Sequence, residues 1–553
     1  MSVHGIGVSP GVANGPVVLV TMRRIAPPGE TTDDPAGAEA LVADALEGVA
    51  VEMDARAAMA SEHGKAVLEA TAMMARDPDL LPGAVTHIES GVGPVDALHL
   101  AIEEYCTMLL GLGGYMAERV EDLRDVFQRA AARMLGLPVP GIPALAVPSI
   151  LLAHDLAPAD TATLDPAMVL GIVTEAGGVT SHTAILAAQL GIPAVVRAVG
   201  VTAAAPSTLG LDGGTGEILL NPDEGRIAEL VERSGRFVAL QQSAKGAGST
   251  RDGHPVQLLV NIGTADDAER AAKGDVEGSG LFRTEFLFLD RSDAPTVDEQ
   301  SETYSRVLRA FGERKVVVRT LDAGADKPLA FANLGEEENP ALGVRGLRLQ
   351  RERDDLLTDQ LTALARAREA TGADVWVMAP MVATAEESRW FTRRCREAGL
   401  PKVGTMVEVP AAAIRSADVL EPCDFASIGT NDLSQYLFAA DRMDGRLAGL
   451  LSGWQPALWE LITATVRGAG DKPVGICGEV GGDPLLALVA VGARISSLSM
   501  ASGKVGLVRA VLAKHDRDTT ERMLEGVLAS DGPETARAAV VSLLDKEVAK
   551  LFA

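Results

Sequence analysis

The chain has 553 residues, of which 47% are hydrophobic and 23% charged, a balance that predicts a folded globular protein with two to four domains. Its formal net charge of −26 disfavours nucleic acid and anionic membranes as partners, because like charges repel. A basic protein partner would suit this charge better, although acidity that merely aids solubility is the alternative explanation.

The cysteines and the amino terminus bear on where the protein works. The amino terminus has no basic region leading into an apolar stretch, and the longest apolar runs are far short of a membrane span. The cysteines stand far apart without CxxC spacing, which argues against a zinc knuckle or a disulfide framework and for a reducing compartment. They are Cys106, Cys395, Cys423 and Cys477. We therefore expect a cytoplasmic protein without membrane insertion.

Residues 1–225 have the pattern of an α/β domain that is interrupted by helices. Short apolar runs typical of buried strands occur in GPVVLV, SILLA, GIVTE and PAVVR, which begin at residues 15, 149, 171 and 193. From about Glu39 to Leu137, apolar residues instead recur at three- and four-residue spacing, most clearly in EDLRDVFQRAAARML. A helical insertion within an α/β domain explains this pattern.

The segment EAGGVTSHTAILAAQLGIPAVV places His182 at the opening of a predicted amphipathic helix. Thr180 or Ser181 can cap this helix. Gly191 and Pro193 predict its end. The positive end of the helix dipole favours a neutral, nucleophilic imidazole, and backbone N–H groups there can bind a phosphoryl group. His182 is therefore a candidate phosphate acceptor, and a capping histidine without chemistry is the alternative.

The second half of the chain repeats a short apolar strand followed by a helical stretch. Before it, QQSAKGAGSTRDG from Gln241 to Gly253 is small, polar and Gly-rich, and we interpret it as a linker. The candidate strands lie in QLLVNIG, GSGLFRTE, KVVVRTLD, a short one near GVRGLRL, DVWVMAP, VGTMVEV, FASIGTND and PVGICGEV. Eight such units predict a (β/α)8 barrel, whose active site is expected at the carboxyl ends of the strands.

Arginines close or follow several of these predicted strands. Arg283 closes the second strand and Arg319 the third. Arg345 lies in ENPALGVRGLRL, and Arg442 lies in the loop after the seventh strand. Guanidinium groups bind phosphate and carboxylate in bidentate geometry, so the set predicts a small ligand that carries both groups. Any one of these arginines, taken alone, is explained more simply as a surface ion-pair residue.

Carboxylates, an amide and a thiol at other strand ends complete the candidate site. Glu408 in VGTMVEV and Asp432 in SIGTND offer the hard oxygen ligands that Mg²⁺ takes together with substrate oxygens and water. Asn431 can donate a hydrogen bond to a phosphate. Cys477 ends the eighth predicted strand between glycines and can supply a proton to an enolate carbon. The alternative for Cys477 is a small buried hydrophobe.

Seven motifs, in chain order, carry a resemblance to a known family. They are GGVTSHTAILAAQLGIPAVV, GLFRTEFLF, VVVRTLDAGADKP, EENPALGVRGLRL, GTMVEVPAAA, SIGTNDLSQYLFAADR and GICGEVGGDP. They resemble the Enzyme I family of the bacterial phosphoenolpyruvate-dependent sugar phosphotransferase system. The resemblance covers nearly the whole chain and is weakest across the helical insertion.

This resemblance implies a multidomain α/β fold. A swivelling phosphohistidine α/β domain would comprise residues 1–20 and 138–225, with an α-helical subdomain inserted at 21–137. A linker helix and linker would follow at 226–252. A C-terminal (β/α)8 TIM-like barrel at 253–553 would bind phosphoenolpyruvate and form a homodimer.

The resemblance also implies an activity and roles for residues. Phosphoenolpyruvate would pass its phosphoryl group to His182 and then to the histidine of the phosphocarrier HPr, which docks on the helical subdomain. Magnesium would be held by Glu408 and Asp432, and Cys477 would be the proton donor. The substrate-binding residues would be Arg283, Arg319, Lys327, Arg345, Asn431, Asp432 and Arg442. Candidate HPr contacts are Glu62, Asp77, Asp79 and Glu103.

Two alternatives to this function can be weighed. A phosphoenolpyruvate synthase or pyruvate phosphate dikinase shares the motifs but needs an ATP-binding module ahead of them. This chain has predicted helices there and no P-loop. A noncatalytic regulatory scaffold is disfavoured because His182, Cys477 and the arginines are all present.

Overall fold

The computed structural model describes residues 2–20, 25–58, 62–112, 120–137, 139, 141–143, 145–156, 160, 164–177, 182–289, 291–324, 329, 331–332, 335, 337–442, 447 and 449–552. The chain forms two compact units, residues 1–235 and 236–553, and each has its own buried core. Within the ranges described, no helix is both long and apolar enough to cross a membrane.

The first unit is built on an eight-stranded sheet. Its strands are β1 (Ser2–His4), β2 (Ile6–Ser9), β3 (Val12–Val20), β4 (Ser149–Ala153), β5 (Val169–Thr174), β6 (Ala194–Val196), β7 (Thr208–Asp212) and β8 (Glu217–Leu220). In space they follow the order β1-β8-β7-β3-β4-β5-β6-β2. Strands β3 to β6 pair in parallel, and antiparallel strands flank them on both sides. The central strand β4 is buried at every position, as expected for an apolar run inside a parallel sheet.

Helices inserted between β3 and β4 form a separate core, which confirms the predicted helical insertion. They are α1 (Pro35–Ala57), α2 (Glu62–Ala75), α3 (Leu80–Glu89), α4 (Pro94–Leu112) and α5 (Val120–Met134). The carboxylate of Asp34 caps α1 by accepting a hydrogen bond from the Gly37 N–H at 3.0 Å. Val42, Val49 and Met53 bury one face of α1 because helical spacing brings them into line.

Two further helices follow the sheet strands. Helix α6 (His182–Leu190) begins after β5, and helix α7 (Glu224–Ser243) begins after β8. Helix α6 ends where predicted, because Gly191 has a φ of +68°, which favours glycine and stops the helix.

The second unit is a closed barrel of eight parallel strands, as predicted. The strands are β9 (Gln257–Ile262), β10 (Gly278–Arg283), β11 (Lys315–Arg319), β12 (Val375–Ala379), β13 (Lys402–Val407), β14 (Phe425–Ile428), β15 (Val474–Ile476) and β16 (Ser497–Met500). Each strand pairs with the next, and β16 closes the barrel against β9. The carboxyl ends of all eight strands therefore meet at one end of the barrel.

Helices between and after the strands surround this barrel. They are α8 (Ala265–Ala271), α9 (Val297–Phe311), α10 (Leu347–Glu352), α11 (Asp354–Thr371), α12 (Ala385–Glu397), α13 (Pro410–Ile414), α14 (Ser416–Val419), α15 (Thr430–Phe438), α16 (Pro456–Ala469), α17 (Pro484–Gly492), α18 (Val505–Leu512), α19 (Arg517–Leu528), α20 (Pro533–Val541) and α21 (Lys546–Phe552). Capping boxes define the starts of α8, α9 and α12, where a threonine and an acidic residue three positions later bond each other's backbone N–H groups.

One predicted barrel strand is wrong. Residues near GVRGLRL form a loop and helix α10, because Gly346 has a φ of +59° and Arg345 is held in buried ion pairs. The eighth strand is instead β16, in which serines alternate with apolar residues and weaken the apolar signal. The hydroxyl of Ser499 donates to Asn261 inside the barrel at 2.6 Å. As a result Cys477 follows the seventh strand and not the eighth.

Candidate active site

The carboxyl ends of β10 and β11 each carry an arginine, and the two have different surroundings. Arg283, the last residue of β10, is exposed. Arg319, the last residue of β11, is buried and forms ion pairs with Glu285 and, at 3.0 Å, with Asp322. Burial lowers the pKa of Arg319, but the carboxylates of Glu285 and Asp322 raise it by more. Arg319 is therefore a permanent cation inside the barrel mouth.

Arg345 lies between two carboxylates. Its guanidinium donates to both oxygens of Asp322 at 3.1 and 3.0 Å and to both oxygens of Asp432 at 3.2 Å. It also donates to the Tyr436 hydroxyl at 3.3 Å, which in turn donates to the carbonyl of Ala341. Burial lowers the pKa of Arg345, and the neighbouring carboxylates outweigh this effect. These two pairs of hydrogen bonds fix the orientation of both carboxylates.

Glu408 directly follows β13 and is buried beside other acidic groups. One of its carboxylate oxygens accepts a hydrogen bond from the Met381 N–H at 2.7 Å. Burial, with added repulsion from Asp432 and Asp322, raises the pKa of Glu408 to about 8. The nearby arginines do not fully compensate three carboxylates in this space.

This crowding of carboxylates fits a hard divalent cation. Glu408 and Asp432 offer oxygen ligands, and a bound cation would offset the burial and the repulsion that together raise the pKa of Glu408. In the part of the chain that the structure describes, no group of three or more His, Cys, Asp or Glu side chains could hold a metal ion unaided. Substrate oxygens and water are the further ligands that Mg²⁺ commonly takes beside one or two carboxylates.

The first turn of α15, directly after β14, supplies polar groups to the same end of the barrel. The Asn431 side-chain oxygen accepts from the Glu479 N–H at 3.1 Å. Arg442, which is half-buried, lies 3.6 Å from an Asp432 oxygen and follows the sixth strand, not the seventh as predicted. The Thr430 hydroxyl is buried and has no hydrogen-bond partner among the described residues. Such an unpaired group is typical of a site that binds a polar ligand.

Cys477 directly follows β15, and its side chain is buried in the barrel interior. The thiol donates to the Ile428 carbonyl, with a sulfur-to-oxygen distance of 3.6 Å. The Asn261 amide donates to the Cys477 carbonyl at 3.1 Å. Burial raises the pKa of the thiol, which keeps it protonated at neutral pH. A protonated thiol in this position can act as a proton donor.

The structure brings most of the predicted barrel residues into one cluster. Asp432 contacts both Arg345 and Arg442, and the charges of Arg283, Arg319 and Glu408 act on Cys477. Lys327 lies outside the described residues.

Three further residues belong to this cluster and were not predicted from the sequence: Glu285, Asp322 and Tyr436. A signal existed for the two carboxylates, because each follows a strand-end arginine within the same motif, RTE or RTLD. A buried arginine requires an acidic partner, and this reasoning would have found Asp322 beside Arg319. It would not have paired Glu285 correctly, because Glu285 follows the exposed Arg283 but pairs with Arg319, 34 positions away. Tyr436 carried no such signal.

The predicted phosphate acceptor belongs to the first unit. His182 is the first residue of α6, which follows the parallel strand β5. Its side chain, like Thr180 and Ser181, lies outside the part of the structure that is described. Its chemical role stays a prediction.

Models of known families match along most of the chain. Residues 239–517 match the PEP-binding domain of PEP-utilising enzymes. Residues 4–119 match the N-terminal region of such enzymes, and residues 145–216 match their mobile domain. Fold and sequence thus define a PEP-utilising enzyme.

Similar proteins of known name show which PEP-utilising enzymes this chain belongs with. The chain is 47% identical over 99% of its length to the phosphoenolpyruvate-protein phosphotransferase of Streptomyces coelicolor, all of which is covered. It is 38% identical to that of Haloferax volcanii over 88% of both chains, and 36% identical to that of Geobacillus stearothermophilus over 96% of both. The chain belongs to the phosphoenolpyruvate-protein phosphotransferase family, a family of transferases. The resemblance to Enzyme I is confirmed, and it is favoured over the synthase or dikinase alternative.

Proposed function

We propose that the protein transfers the phosphoryl group of phosphoenolpyruvate to its own His182 and then to the histidine of HPr, with release of pyruvate. This reaction would be the first general step of sugar uptake by the phosphotransferase system. The observation that carries the proposal is the buried cluster of Arg319, Arg345, Glu408 and Asp432 beside Cys477. Cations for an anionic substrate and a protonated thiol for its enolate lie at the same end of the barrel.

The arginines of the cluster would divide the work of binding. Arg283 makes no ion pair with another described residue, so it is available to the phosphate. Among the described residues, Arg442 reaches the carboxylate of Asp432, at 3.6 Å. Arg319 and Arg345 already face protein carboxylates, so they would mainly supply positive potential, and Arg345 would also orient Asp432. Asn431 and Lys327 would add contacts to the phosphate, the lysine on the resemblance alone.

We propose Mg²⁺ as the metal, held by Glu408 and Asp432 together with substrate oxygens and water. When bound, it would offset negative charge as the P–O bond breaks. Arg345 supports this arrangement because it fixes the orientation of Asp432 through two hydrogen bonds. The Met381 N–H does the same for Glu408.

The chemistry assigns one step to each unit. A nitrogen of His182 attacks phosphorus, an N–P bond forms, and the P–O bond breaks with its electron pair left on the enolate oxygen. The enolate then takes the proton of the Cys477 thiol at its methylene carbon, which yields pyruvate. The thiolate must regain a proton from solvent before the next turnover.

The partner and assembly follow from the family resemblance. We propose HPr docking on the helical subdomain and a homodimer formed through the barrel. Asp77, between α2 and α3, accepts a hydrogen bond from Tyr105 of α4, and Glu103 of α4 pairs with Arg124 of α5. These acidic groups would therefore contribute less to docking than unpaired ones. The side chain of Glu62 lies outside the described residues.

The test mixes the purified protein with labelled phosphoenolpyruvate and magnesium, with and without ATP. We expect acid-labile label on the His182 peptide without ATP, and loss of this label when HPr is added. Label that appears only with ATP would overturn the proposal in favour of a synthase or dikinase. Label that forms without ATP but is not discharged by HPr would contradict the proposed acceptor.

A further inference from the structure

Gln360 lies on α11, one of the helices that surround the barrel, and its side chain is buried. The amide nitrogen donates to the Thr284 hydroxyl at 3.1 Å and to the Tyr304 hydroxyl at 3.0 Å. The amide oxygen accepts a hydrogen bond from the Leu321 N–H at 3.0 Å. Both N–H groups and the oxygen are thus in use, which fixes the orientation of the amide.

Two of these hydrogen bonds reach the segments that follow β10 and β11. Thr284 directly follows Arg283, and Leu321 follows Arg319 by two positions. The Thr284 hydroxyl, which accepts from Gln360, in turn donates to the Arg319 carbonyl at 2.9 Å. Arg283 and Arg319 are themselves partners in the register of the two parallel strands. One amide therefore ties together the two segments that begin at these arginines.

A second buried glutamine holds the other side of the same backbone. Gln350 of α10 donates to the Leu321 carbonyl at 2.6 Å and to the Thr320 hydroxyl at 3.1 Å. Helix α10 begins two positions after Arg345. The hydrogen bonds of the two glutamines therefore connect the backbone that follows Arg319 to the segment that carries Arg345.

The backbone position matters because the ion pair of Arg319 and Glu285 leaves polar atoms unpaired. The Nε of Arg319 and the second carboxylate oxygen of Glu285 are buried and have no hydrogen-bond partner among the residues that the structure describes. Unpaired buried groups of this kind are available to a polar ligand. Where they lie depends on the backbone that Gln360 and Thr284 hold.

We propose that Gln360 is a positioning residue of the phosphoenolpyruvate site, because it sets the spacing of Arg283 and Arg319. The inference rests on the proposed binding of phosphoenolpyruvate at this end of the barrel. Gln360 acts through Thr284 and Leu321 and not by contact with the ligand. A ligand that carries both a phosphate and a carboxylate depends on this spacing, whereas a ligand with a single anionic group does not.

The test compares two ligands by titration calorimetry with magnesium. Phosphoglycolate carries a phosphate and a carboxylate but no enol, and inorganic phosphate is measured through its displacement of phosphoglycolate. Gln360→Met keeps the size of the side chain and removes its hydrogen bonds to Thr284, Tyr304 and Leu321. We expect this variant to bind phosphoglycolate about tenfold more weakly or worse and phosphate less than about threefold more weakly. The ratio of the two dissociation constants is informative because general damage to the barrel would weaken both ligands together.

Gln300→Met is the matched control. Gln300 is another buried glutamine, on α9, and its side chain bonds the Tyr304 hydroxyl and the Pro295 carbonyl, both in or next to that helix. This variant should keep the wild-type ratio of dissociation constants. If Gln360→Met does not fold, Thr284→Val breaks the same link and should change the ratio in the same direction, while Thr284→Ser keeps the hydroxyl and should recover the wild-type ratio.

The outcomes separate this inference from the proposed function. An unchanged ratio in the variant that folds, or an equal change in Gln300→Met, overturns the positioning role of Gln360. Wild-type protein that binds no phosphoglycolate overturns the proposed substrate site itself.

Discussion

The two units of the chain differ in how many residues their candidate chemistry depends on. The first places a single candidate nucleophile, His182, at the start of a helix. In the barrel, arginines and carboxylates form one buried cluster. Its ion pairs are linked, because Asp322 pairs with both Arg319 and Arg345, which in turn pair with Glu285 and Asp432. Chemistry that depends on one group should be lost in one substitution, whereas residues in a shared network should show coupled effects.

If the first unit depends on one group, His182→Ala should give the largest effect. We expect phosphoryl transfer from phosphoenolpyruvate to HPr to fall at least about 10⁴-fold, because no other nucleophile replaces the imidazole. Binding of phosphoenolpyruvate, measured by calorimetry with magnesium, should stay within about twofold. His154→Ala is the control, because His154 is an exposed histidine of the same unit. Transfer that survives in His182→Ala contradicts the single-group interpretation.

The coupling within the barrel cluster can be broken at Arg319. Arg319→Ala leaves Glu285 and Asp322 buried without this cation, so we expect a loss of about 3–5 kcal/mol in unfolding free energy and no measurable turnover. Arg319→Met combined with Glu285→Gln should regain part of the stability but not the activity. Chemical denaturation measures both, and Arg366→Ala, which breaks an exposed ion pair with Asp298, should cost less than about 1 kcal/mol. Equal losses of unfolding free energy in Arg319→Ala and Arg366→Ala would contradict a buried ion-pair network around Arg319.

Cys477→Ala should separate phosphoryl transfer to His182 from protonation of the enolate in the barrel. We expect turnover to pyruvate to fall about 10²- to 10⁴-fold, while labelling of His182 in a single turnover persists, because protonation follows phosphoryl transfer. Rapid quench for the label and an enzymatic assay for pyruvate measure the two steps. Cys395→Ala removes another buried thiol and should leave both rates near wild type. If Cys477→Ala slowed labelling of His182 and formation of pyruvate to the same extent, the thiol would have a structural role and not the role of proton donor.

The stability of the metal-free protein should also depend on pH. The folded-state pKa of Glu408, about 8, lies above its ordinary value of 4.5. The folded state therefore binds more protons than the unfolded state between these values, and stability should fall as pH rises from about 5 to 8. Glu408→Gln should flatten this slope in Tm measured with a chelator present. Glu397→Gln, on the exposed face of α12, should keep it, and equal slopes in all three proteins would contradict the crowding of carboxylates.

Much of the fold could be predicted because its strands and helices have strong local patterns. SILLA and KVVVR are apolar runs that become buried parallel strands. The SLSM strand escaped prediction because its alternate serines face the barrel interior, where Ser499 bonds Asn261. GVRGLRL looked like a strand because nothing local reveals the positive φ of Gly346 or the buried ion pairs of Arg345.

The candidate site was predictable in part, because strand ends can be located from local sequence patterns. Arg283 and Arg319 close strands, so barrel geometry alone predicts where they lie. The partners of Arg345 could not be inferred in this way, because Asp322 and Asp432 lie 23 and 87 positions away along the chain.

The sequence by itself determined a sheet domain with a helical insertion, a barrel and the identity of its strand-end residues, since periodicity and motif spacing are local properties. Only the tertiary structure decided which arginine pairs with which carboxylate, how far burial raises the pKa of Glu408, and that the Cys477 thiol is buried inside the barrel. These features depend on distances and on exclusion of water between segments remote in the chain, and no local pattern encodes them.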